Sequence, residues 1–282
     1  MIMLALALLA ADPSSLSSAI AAARPGDTVT LVKGNYPPLT IKSRTFDPPL
    51  KIDATEATFA MVRIIGTTGI HWKGGSITGD ATLPVAVGHG FSAIASRDIA
   101  VHQVRFSYFR AGVVFDRVEG GRIGGNWFAN MSSDGIDVAS SRRLRISHNA
   151  CSEFAPGPDA HPDCIQLWSR PSEAPTGDIE IVGNSIVGTM QGISLFNHVR
   201  DGVDDGGFDR VAITGNTVLN TFANGIAAVD CRGCAIRNNS VGSLPNYENR
   251  AQLYVVGGSV NQCGNDVPMV PRQGTPPCPT GG

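Results

Sequence analysis

Acidic and imidazole side chains concentrate in one segment near the middle of the chain. Residues 159–163 read DAHPD, so His161 stands between two aspartates, with Pro162 stiffening the backbone beside it. An imidazole exchanges protons near neutral pH, and a neighbouring carboxylate stabilises its charged form. We therefore predict that His161 and Asp163 carry proton-transfer chemistry. The alternative is an ordinary surface or packed histidine.

A second aspartate aligns with this segment. Asp134 and Asp163 each stand just before a short apolar run, and stacked strands would place their carboxylates about 5 Å apart. Carboxylates that close either raise one pKa or hold a cation such as calcium. We predict a catalytic role for Asp134, and a calcium site formed by Asp134, Asp137 and Asp163. The alternative is that these aspartates cap structural turns.

Beyond Lys73, every permanently charged basic residue is an arginine. Its planar guanidinium suits recognition of carboxylate or sulfate groups, although codon bias would leave the same signature. We predict that Arg200 is catalytic and that Arg110 binds substrate. Trp168 would stack on a sugar ring or simply cover its loop. The remaining predicted substrate-binding residues are Asp137, Gln166, Gln191, Asn197 and His198.

These residues lie within a repeat of two short limbs that returns every 22 to 35 positions. A fixed period in this range indicates a solenoid, whose units bury their apolar faces only by stacking. Without helical segments between them, the strands can pair only with their equivalents one coil above and below, so they are parallel. The first limb is followed by Asn126, Asn149, Asn184, Asn216 and Asn239; the second begins at Gly112, Gly135, Cys164, Gly192, Gly225 and Gln252.

Alternation along the second limb predicts which side chains face the interior. Residues such as Ile136, Val138 and Ile165 are expected inside. The predicted outward residues are Asp137, Gln166, Ser194, Ala227 and Tyr254. The recurring asparagines are expected to form a ladder, with side-chain amides stacked about 4.8 Å apart and hydrogen-bonded to one another.

Two coils are longer than their neighbours. The step from Asn149 to Asn184 spans 35 residues and the step from Asn184 to Asn216 spans 32, against 23 for adjacent steps. Inserted loops on a solenoid usually build its binding face. Because the two insertions leave adjacent coils, we expect them to flank one groove.

Composition limits the partners and the compartment. The formal net charge of −2 gives no global attraction to nucleic acid or an anionic membrane. The apolar run at residues 1–11 predicts a signal sequence, and hence a secreted or periplasmic protein; it is too short to span a bilayer. We further predict a cap helix and entry at 12–30, a β-helix at 31–262, a Pro- and Gly-rich tail at 263–282, and a monomer.

Six cysteines allow 15 disulfide connectivities. The favoured pair is Cys263 with Cys278, which would clip the tail. Cys231 and Cys234 have the two-residue spacing of a zinc site, but no second close pair supplies the other two ligands.

The opening of the chain resembles a known family. A short helix over about 14–23, the strand Thr28–Leu31 and the segment Gly34–Tyr36 resemble the start of right-handed parallel β-helix proteins of the pectate lyase type, including chondroitinase B and alginate lyases. This resemblance implies an all-β, single-domain right-handed parallel β-helix with a short N-terminal capping helix. The DAHPD segment is similar to the Asp-Pro-His-acid motif of mannuronan epimerases, which implies proton transfer by His161. The GHG at 88–90 is similar to an element of polygalacturonases, although here it precedes the acidic cluster.

Together these features predict an enzyme that cleaves a uronate-containing polysaccharide by β-elimination, in a groove along the solenoid. The lysine base of chondroitinase B-like lyases has no counterpart after Lys73. The alternatives are a glycoside hydrolase that uses paired aspartates, an epimerase, and a polysaccharide-binding or surface β-helix without catalysis.

Overall fold

The computed structural model describes residues 8–245, 251–267 and 274–279. Three parallel sheets, stacked coil by coil, make up almost all of its regular structure. Each complete coil contributes one strand to sheet 1, one to sheet 2 and one to sheet 3, in that chain order. Every strand therefore pairs in parallel with its equivalents in the coils before and after it.

Sheet 1 has eleven strands and begins at the N-terminal end of the described chain. Its strands are β1 (Leu8–Ala11), β2 (Thr28–Leu31), β5 (Thr45–Asp53), β8 (Thr68–Lys73), β11 (Arg97–His102), β14 (Glu119–Gly124), β17 (Arg142–Ser147), β20 (Thr176–Val182), β25 (Phe208–Thr214), β28 (Cys231–Arg237) and β31 (Ser259–Cys263).

Sheet 2 has nine short strands. They are β3 (Gly34–Tyr36), β6 (Ala57–Phe59), β9 (Ser76–Thr78), β12 (Arg105–Ser107), β15 (Trp127–Ala129), β18 (Ala150–Ser152), β21 (Ser185–Gly188), β26 (Thr217–Asn220) and β29 (Ser240–Ser243).

Sheet 3 also has nine strands, and its outer face carries the site described below. They are β4 (Leu39–Lys42), β7 (Val62–Ile65), β10 (His89–Ile94), β13 (Ala111–Asp116), β16 (Asp134–Ala139), β19 (Asp163–Trp168), β22 (Gln191–Leu195), β27 (Asn224–Val229) and β30 (Gln252–Val256).

Two small elements lie outside the three sheets. The helix α1 (Leu16–Ala22) buries Leu16 and Ile20 and packs on β1 and β2. An antiparallel hairpin joins β23 (Val199–Arg200) to β24 (Val203–Asp204). No helix in the described ranges has the length and apolar composition needed to span a bilayer.

The predicted asparagine ladder is confirmed and extends one step further than expected. The side-chain amide of each asparagine donates to Oδ1 of the next at 2.9–3.0 Å. Each Oδ1 atom also accepts the backbone N–H of the preceding asparagine in the ladder. One side chain therefore provides the hydrogen-bond partner that this buried N–H needs. Asn265 forms the last rung and donates to the Thr275 hydroxyl at 3.1 Å.

In five strands of sheet 3 the second residue is a glycine whose inner side leaves no room for a side chain. A Cβ added at Gly112 would lie 2.4 Å from the Phe128 ring, and one at Gly192 would lie 2.8 Å from Val218. In β19 the equivalent position is Cys164, which bonds to Cys151 of β18. In the other coils a sheet 2 side chain packs over the glycine, whereas in β19 the side chain at this position is bonded to a sheet 2 cysteine.

The other cysteines form two more disulfides. Cys263 pairs with Cys278, as predicted. Cys231 is bonded to Cys234, so the zinc alternative for this pair is wrong.

The structure describes only residues 8–11 of the predicted signal sequence. Residues 1–7 lie outside the described residues. Leu8–Ala11 form β1, whose register on β2 runs from Leu8↔Thr28 to Ala11↔Leu31. Cleavage after Ala11 would remove this strand.

Candidate functional site

A groove of about 730 Å³ runs over the outer face of sheet 3. Three connections form its walls: residues 79–88, residues 153–162 and the start of 196–207. The last two belong to the long coils identified from the asparagine spacing, so the expectation that they flank one groove is confirmed. The first was not expected, because the early coils carry no asparagine from which a spacing could be measured.

A vertical column of polar side chains lies at the strand starts beneath the groove, and Asp134 is the member that lines the groove. The register pairs Ala111 with Asp134 and Asp163 with Gln191, so successive coils present these residues one above another. The Asp163 N–H donates to Asp134 Oδ1 at 2.9 Å, and the Asn224 amide donates to Gln191 Oε1 at 2.6 Å. The predicted stacking of Asp134 on Asp163 is therefore observed.

His161 lies on top of this column. Its Nδ1 atom is 3.1 Å from Asp163 Oδ2, and its side chain is 61% exposed while that of Asp163 is fully buried. The Gln191 amide lies 2.8 Å from the same Nδ1 atom, and the Gln191 N–H donates to the Pro162 carbonyl. The hydrogen bond and negative charge of Asp163 raise the pKa of His161 above its ordinary value. The Gln191 amide nitrogen also contacts Nε2, so Asp163 and Gln191 hold the imidazole through both ring nitrogens while the remaining edge of the ring is exposed to the groove.

Asp134 is buried, yet it borders the groove. Oδ1 accepts the Asp163 N–H, and Oδ2 accepts the Ser133 hydroxyl at 2.8 Å. Burial and the nearby charge of Asp163 raise the pKa of Asp134 to about 6, with the two hydrogen bonds and Arg110 opposing the shift. This carboxyl therefore changes charge close to neutral pH.

Asp137 and Gln166 are less accessible than the strand alternation predicted. The Oδ1 atom of Asp137 is enclosed and has no hydrogen-bond partner among the described residues. Burial, reinforced by the charge of Asp134, raises the pKa of Asp137 well above its usual range. Gln166 is 8% exposed. Both residues point away from the solenoid interior as expected, but Asp137 is half-buried there and Gln166 lies buried in the lining of the groove.

The aspartates do not fit a calcium ion. Asp163 accepts the Ser194 hydroxyl on Oδ1 and faces His161 through Oδ2, and both oxygens of Asp134 are also engaged. Calcium needs six to eight convergent oxygens. Across the described ranges, no group of three or more His, Cys, Asp or Glu side chains is arranged to hold a metal. Each of these carboxylate oxygens already accepts one bond from the protein, which leaves too few lone pairs to converge on a calcium ion.

Two residues predicted from the second insertion do not line the groove. Asn197 fastens the base of the hairpin: its amide donates to Asp204 at 2.9 Å and to Asp230 at 3.0 Å, and its oxygen accepts the Gly207 N–H. Arg200 is exposed in β23. Arg200 is not among the residues that line the groove, so the geometry does not support a catalytic role for it.

Of the other predicted binding residues, four line the groove, Gln166 among them, whereas Asp137 and the buried Gln191 do not. Arg110, Trp168 and His198 line the groove together with Asp134 and His161. The Trp168 and His198 rings are 6.5 Å apart, and Phe196 lies 6.4 Å from His198.

Sequence reasoning missed the apolar part of this lining. Val85 and Val87 come from the unexpected loop, and Phe196 directly follows β22. A length count of the segment between Thr78 and His89 would have revealed the loop.

Comparison with known proteins identifies the fold. Residues 68–265 match the family described as right handed beta helix region. A polygalacturonase from Erwinia carotovora ssp. carotovora superposes with a TM-score of 0.61 at 17% identity, over 83% of this chain and 76% of that chain. An endo-xylogalacturonan hydrolase from Aspergillus tubingensis gives 0.53 at 12% identity, over 91% and 93%. A rhamnogalacturonan lyase gives 0.54 at 9% identity, over 89% and 82%.

No curated protein matched by sequence. The sequence identities of these structural relatives are too low to establish more than a shared architecture. The family match covers most of the chain and confirms the family that the resemblance implied. The chain belongs to the right-handed parallel β-helix family.

Proposed function

We propose that the chain is an enzyme that cleaves an acidic polysaccharide, by β-elimination, in the groove on sheet 3. The observation that carries this proposal is the column in which His161 rests on Asp163 and Asp163 on Asp134, beside Arg110. The three structural relatives are a polygalacturonase, an endo-xylogalacturonan hydrolase and a rhamnogalacturonan lyase. Their names agree with an acidic polysaccharide as substrate.

Elimination divides into three tasks that these residues are placed to perform. Arg110 neutralises the uronate carboxylate, which acidifies the adjacent C–H. Asp134 removes that proton as its carboxylate. His161, as imidazolium, donates a proton to the departing glycosidic oxygen, leaving a carbon–carbon double bond on one product.

The protonation states fit this division of labour. Asp134 is ionised above its pKa of about 6, while Asp163 keeps His161 protonated beyond the ordinary range of histidine. Activity is therefore expected to rise with pH through about 6 and to fall once the pH exceeds the raised pKa of His161. A bell-shaped profile of the initial rate in the parent, together with loss of activity across the whole pH range in Asp134→Asn, tests the assignment.

Hydrolysis is the second candidate, because burial raises the pKa values of Asp134 and Asp137. A protonated carboxyl can act as the acid of a glycosidase while a second carboxylate activates water.

One assay separates the candidates. The protein is incubated with polygalacturonate, rhamnogalacturonan and alginate, and ultraviolet absorbance of unsaturated ends is followed in parallel with reducing ends. Absorbance supports elimination, and reducing ends without absorbance support hydrolysis. A change in uronate configuration without cleavage indicates epimerisation. Binding without any product leaves a polysaccharide-binding protein and overturns the proposal.

We also infer the cellular location and the oligomeric state of the enzyme. Three disulfides are typical of an oxidising compartment, so we place the protein outside the cytosol, secreted or periplasmic. We also propose that α1 caps the first coil and that the protein is a monomer. Cell fractionation and light scattering against the chain mass of 29.5 kDa test the location and the monomer.

A further inference from the structure

The groove on sheet 3 has an apolar wall that acid–base chemistry does not require. Val85 and Val87 are 40% and 60% exposed, and both border the groove. They are held in place, because the Ser132 hydroxyl donates to the Ala86 carbonyl between them and Val85 packs 3.3 Å from the point where a Cβ on Gly157 would lie. Exposed valines in a fixed position are suited to contact a ligand.

An aromatic surface extends the groove toward the C-terminal coils. Trp168 and Phe196 line the groove, and Tyr254, 40% exposed, lies with its ring 6.2 Å from that of Phe196. From β13 to β22 the floor advances by three strand spacings, about 14 Å. A polysaccharide chain along this direction would pass from the Arg110 end to the aromatic end.

Positive charge is scarce along this path. Arg110 is the one arginine or lysine that lines the groove within the described ranges; His161 and His198 are the titratable cations, and Asp134 and Asp159 are acidic. A homopolyuronate carries a carboxylate on every sugar. Most of those carboxylates would face valine and aromatic side chains without a partner, at a cost in desolvation.

We propose that the groove selects an acidic polysaccharide in which uronate residues are interspersed with sugars that carry a methyl group, whether as a methyl ester or as a 6-deoxy sugar. One uronate is held at Arg110, the methyl group contacts Val85 and Val87, and a further sugar ring stacks on Trp168 or Phe196. This inference rests on the proposed function for its substrate class, but it concerns binding and not the chemical step.

Calorimetric binding to His161→Ala tests the inference without turnover. The ligands are size-matched oligomers of unmodified polygalacturonate, partly methyl-esterified polygalacturonate and a rhamnogalacturonan backbone, which alternates uronate with a 6-deoxy sugar. One methyl group in an apolar pocket discriminates by about 10-fold or more, so at least one methyl-bearing oligomer is expected to bind that much more tightly than the unmodified one. The two methyl-bearing arms distinguish ester from deoxy sugar.

Variants localise the effect. Val87→Ser in the same background is expected to remove most of the preference, and Val87→Lys to improve binding of unmodified polygalacturonate. The control is Val187→Ser, because Val187 is similarly exposed but lies on sheet 2. Equal or tighter binding of the unmodified oligomer, a preference unaffected by Val87→Ser, or no binding of any oligomer overturns the inference. Preferential binding without cleavage by the unmutated protein would sustain it while the proposed function fails.

Discussion

At the scale of single residues, the site depends on a contrast in burial between two neighbours in sequence. Asp163 is fully buried and His161 is mostly exposed, although only Pro162 separates them. The buried carboxylate stabilises the imidazolium, and the exposed ring can reach a substrate. A proton donor needs both a stabilised positive charge and access to the substrate. His161 has the access, and Asp163 supplies the stabilisation.

Replacing His161 by alanine is expected to lower kcat by about 10²–10⁴-fold with little change in KM, because a general acid acts mainly in the transition state. Steady-state kinetics on the best substrate measure this. His148→Ala is the control, since His148 lies in the turn between β17 and β18, beside Gly183, away from the groove. Unchanged kcat in His161→Ala would remove this residue from the mechanism.

Asp137 gives a prediction about stability. Its folded-state pKa is raised above the unfolded value of 3.8, so the folded chain binds more protons than the unfolded chain between these two values. The free energy of unfolding therefore falls as the pH rises through this window. Asp137→Asn keeps a neutral side chain and is expected to be more stable than the parent at pH 8, by about 1 kcal/mol or more, with the difference vanishing below about pH 4.

Urea denaturation at several pH values measures this difference. Asp201→Asn, in an exposed hairpin turn, is the matched control and should show no such pH dependence. Equal stability of Asp137→Asn and the parent at pH 8 would mean that the buried carboxyl costs nothing.

At the scale of elements, the loop 153–162 depends on its two ends. Cys151 lies in β18 and Cys164 in β19, so their disulfide joins the strands directly on either side of the insertion that carries His161. Strand pairing fixes both cysteines in their coils. The loop is thus a closed ring on a rigid base, which is what a positioned catalytic side chain requires.

Replacing Cys151 and Cys164 together by alanine is expected to lower the free energy of unfolding by about 3 kcal/mol and to reduce kcat, because His161 loses its fixed position. Thermal unfolding and kinetics measure both effects. The Cys263 and Cys278 pair closes a ring of similar size, with a sequence separation of 15 against 13. Its double alanine variant should lose stability but keep kcat. Full kcat in the first variant would show that the disulfide does not position His161.

At the scale of the whole molecule, the stack of coils has ends at which strands lack a partner. The strand β1 is the first of sheet 1, and α1 packs on β1 and β2 through Leu16 and Ile20. Exposed strand edges promote association between molecules. Shielding of this end is the role that we propose for α1.

Aspartate at both Leu16 and Ile20 is expected to detach the helix, lower the melting temperature and produce concentration-dependent aggregation, because the edge of sheet 1 becomes accessible. Light scattering during a thermal ramp measures this. Aspartate at the exposed Ser17 and Ser18 is the control for added charge. A monomeric, equally stable Leu16 and Ile20 variant would show that α1 is dispensable.

The repeat by itself determined the coil, the parallel pairing, the asparagine ladder and the stacking of Asp134 on Asp163, because each follows from a constant period applied to neighbouring strands. Irregular segments have no period, and tertiary structure alone decided their course. The hairpin that contains Arg200, the loop that brings Val85 and Val87 to the groove, and the enclosure of the Asp137 Oδ1 atom are not set by the repeat. They depend on how segments from different coils meet in the folded stack, so no local pattern in the chain encodes them.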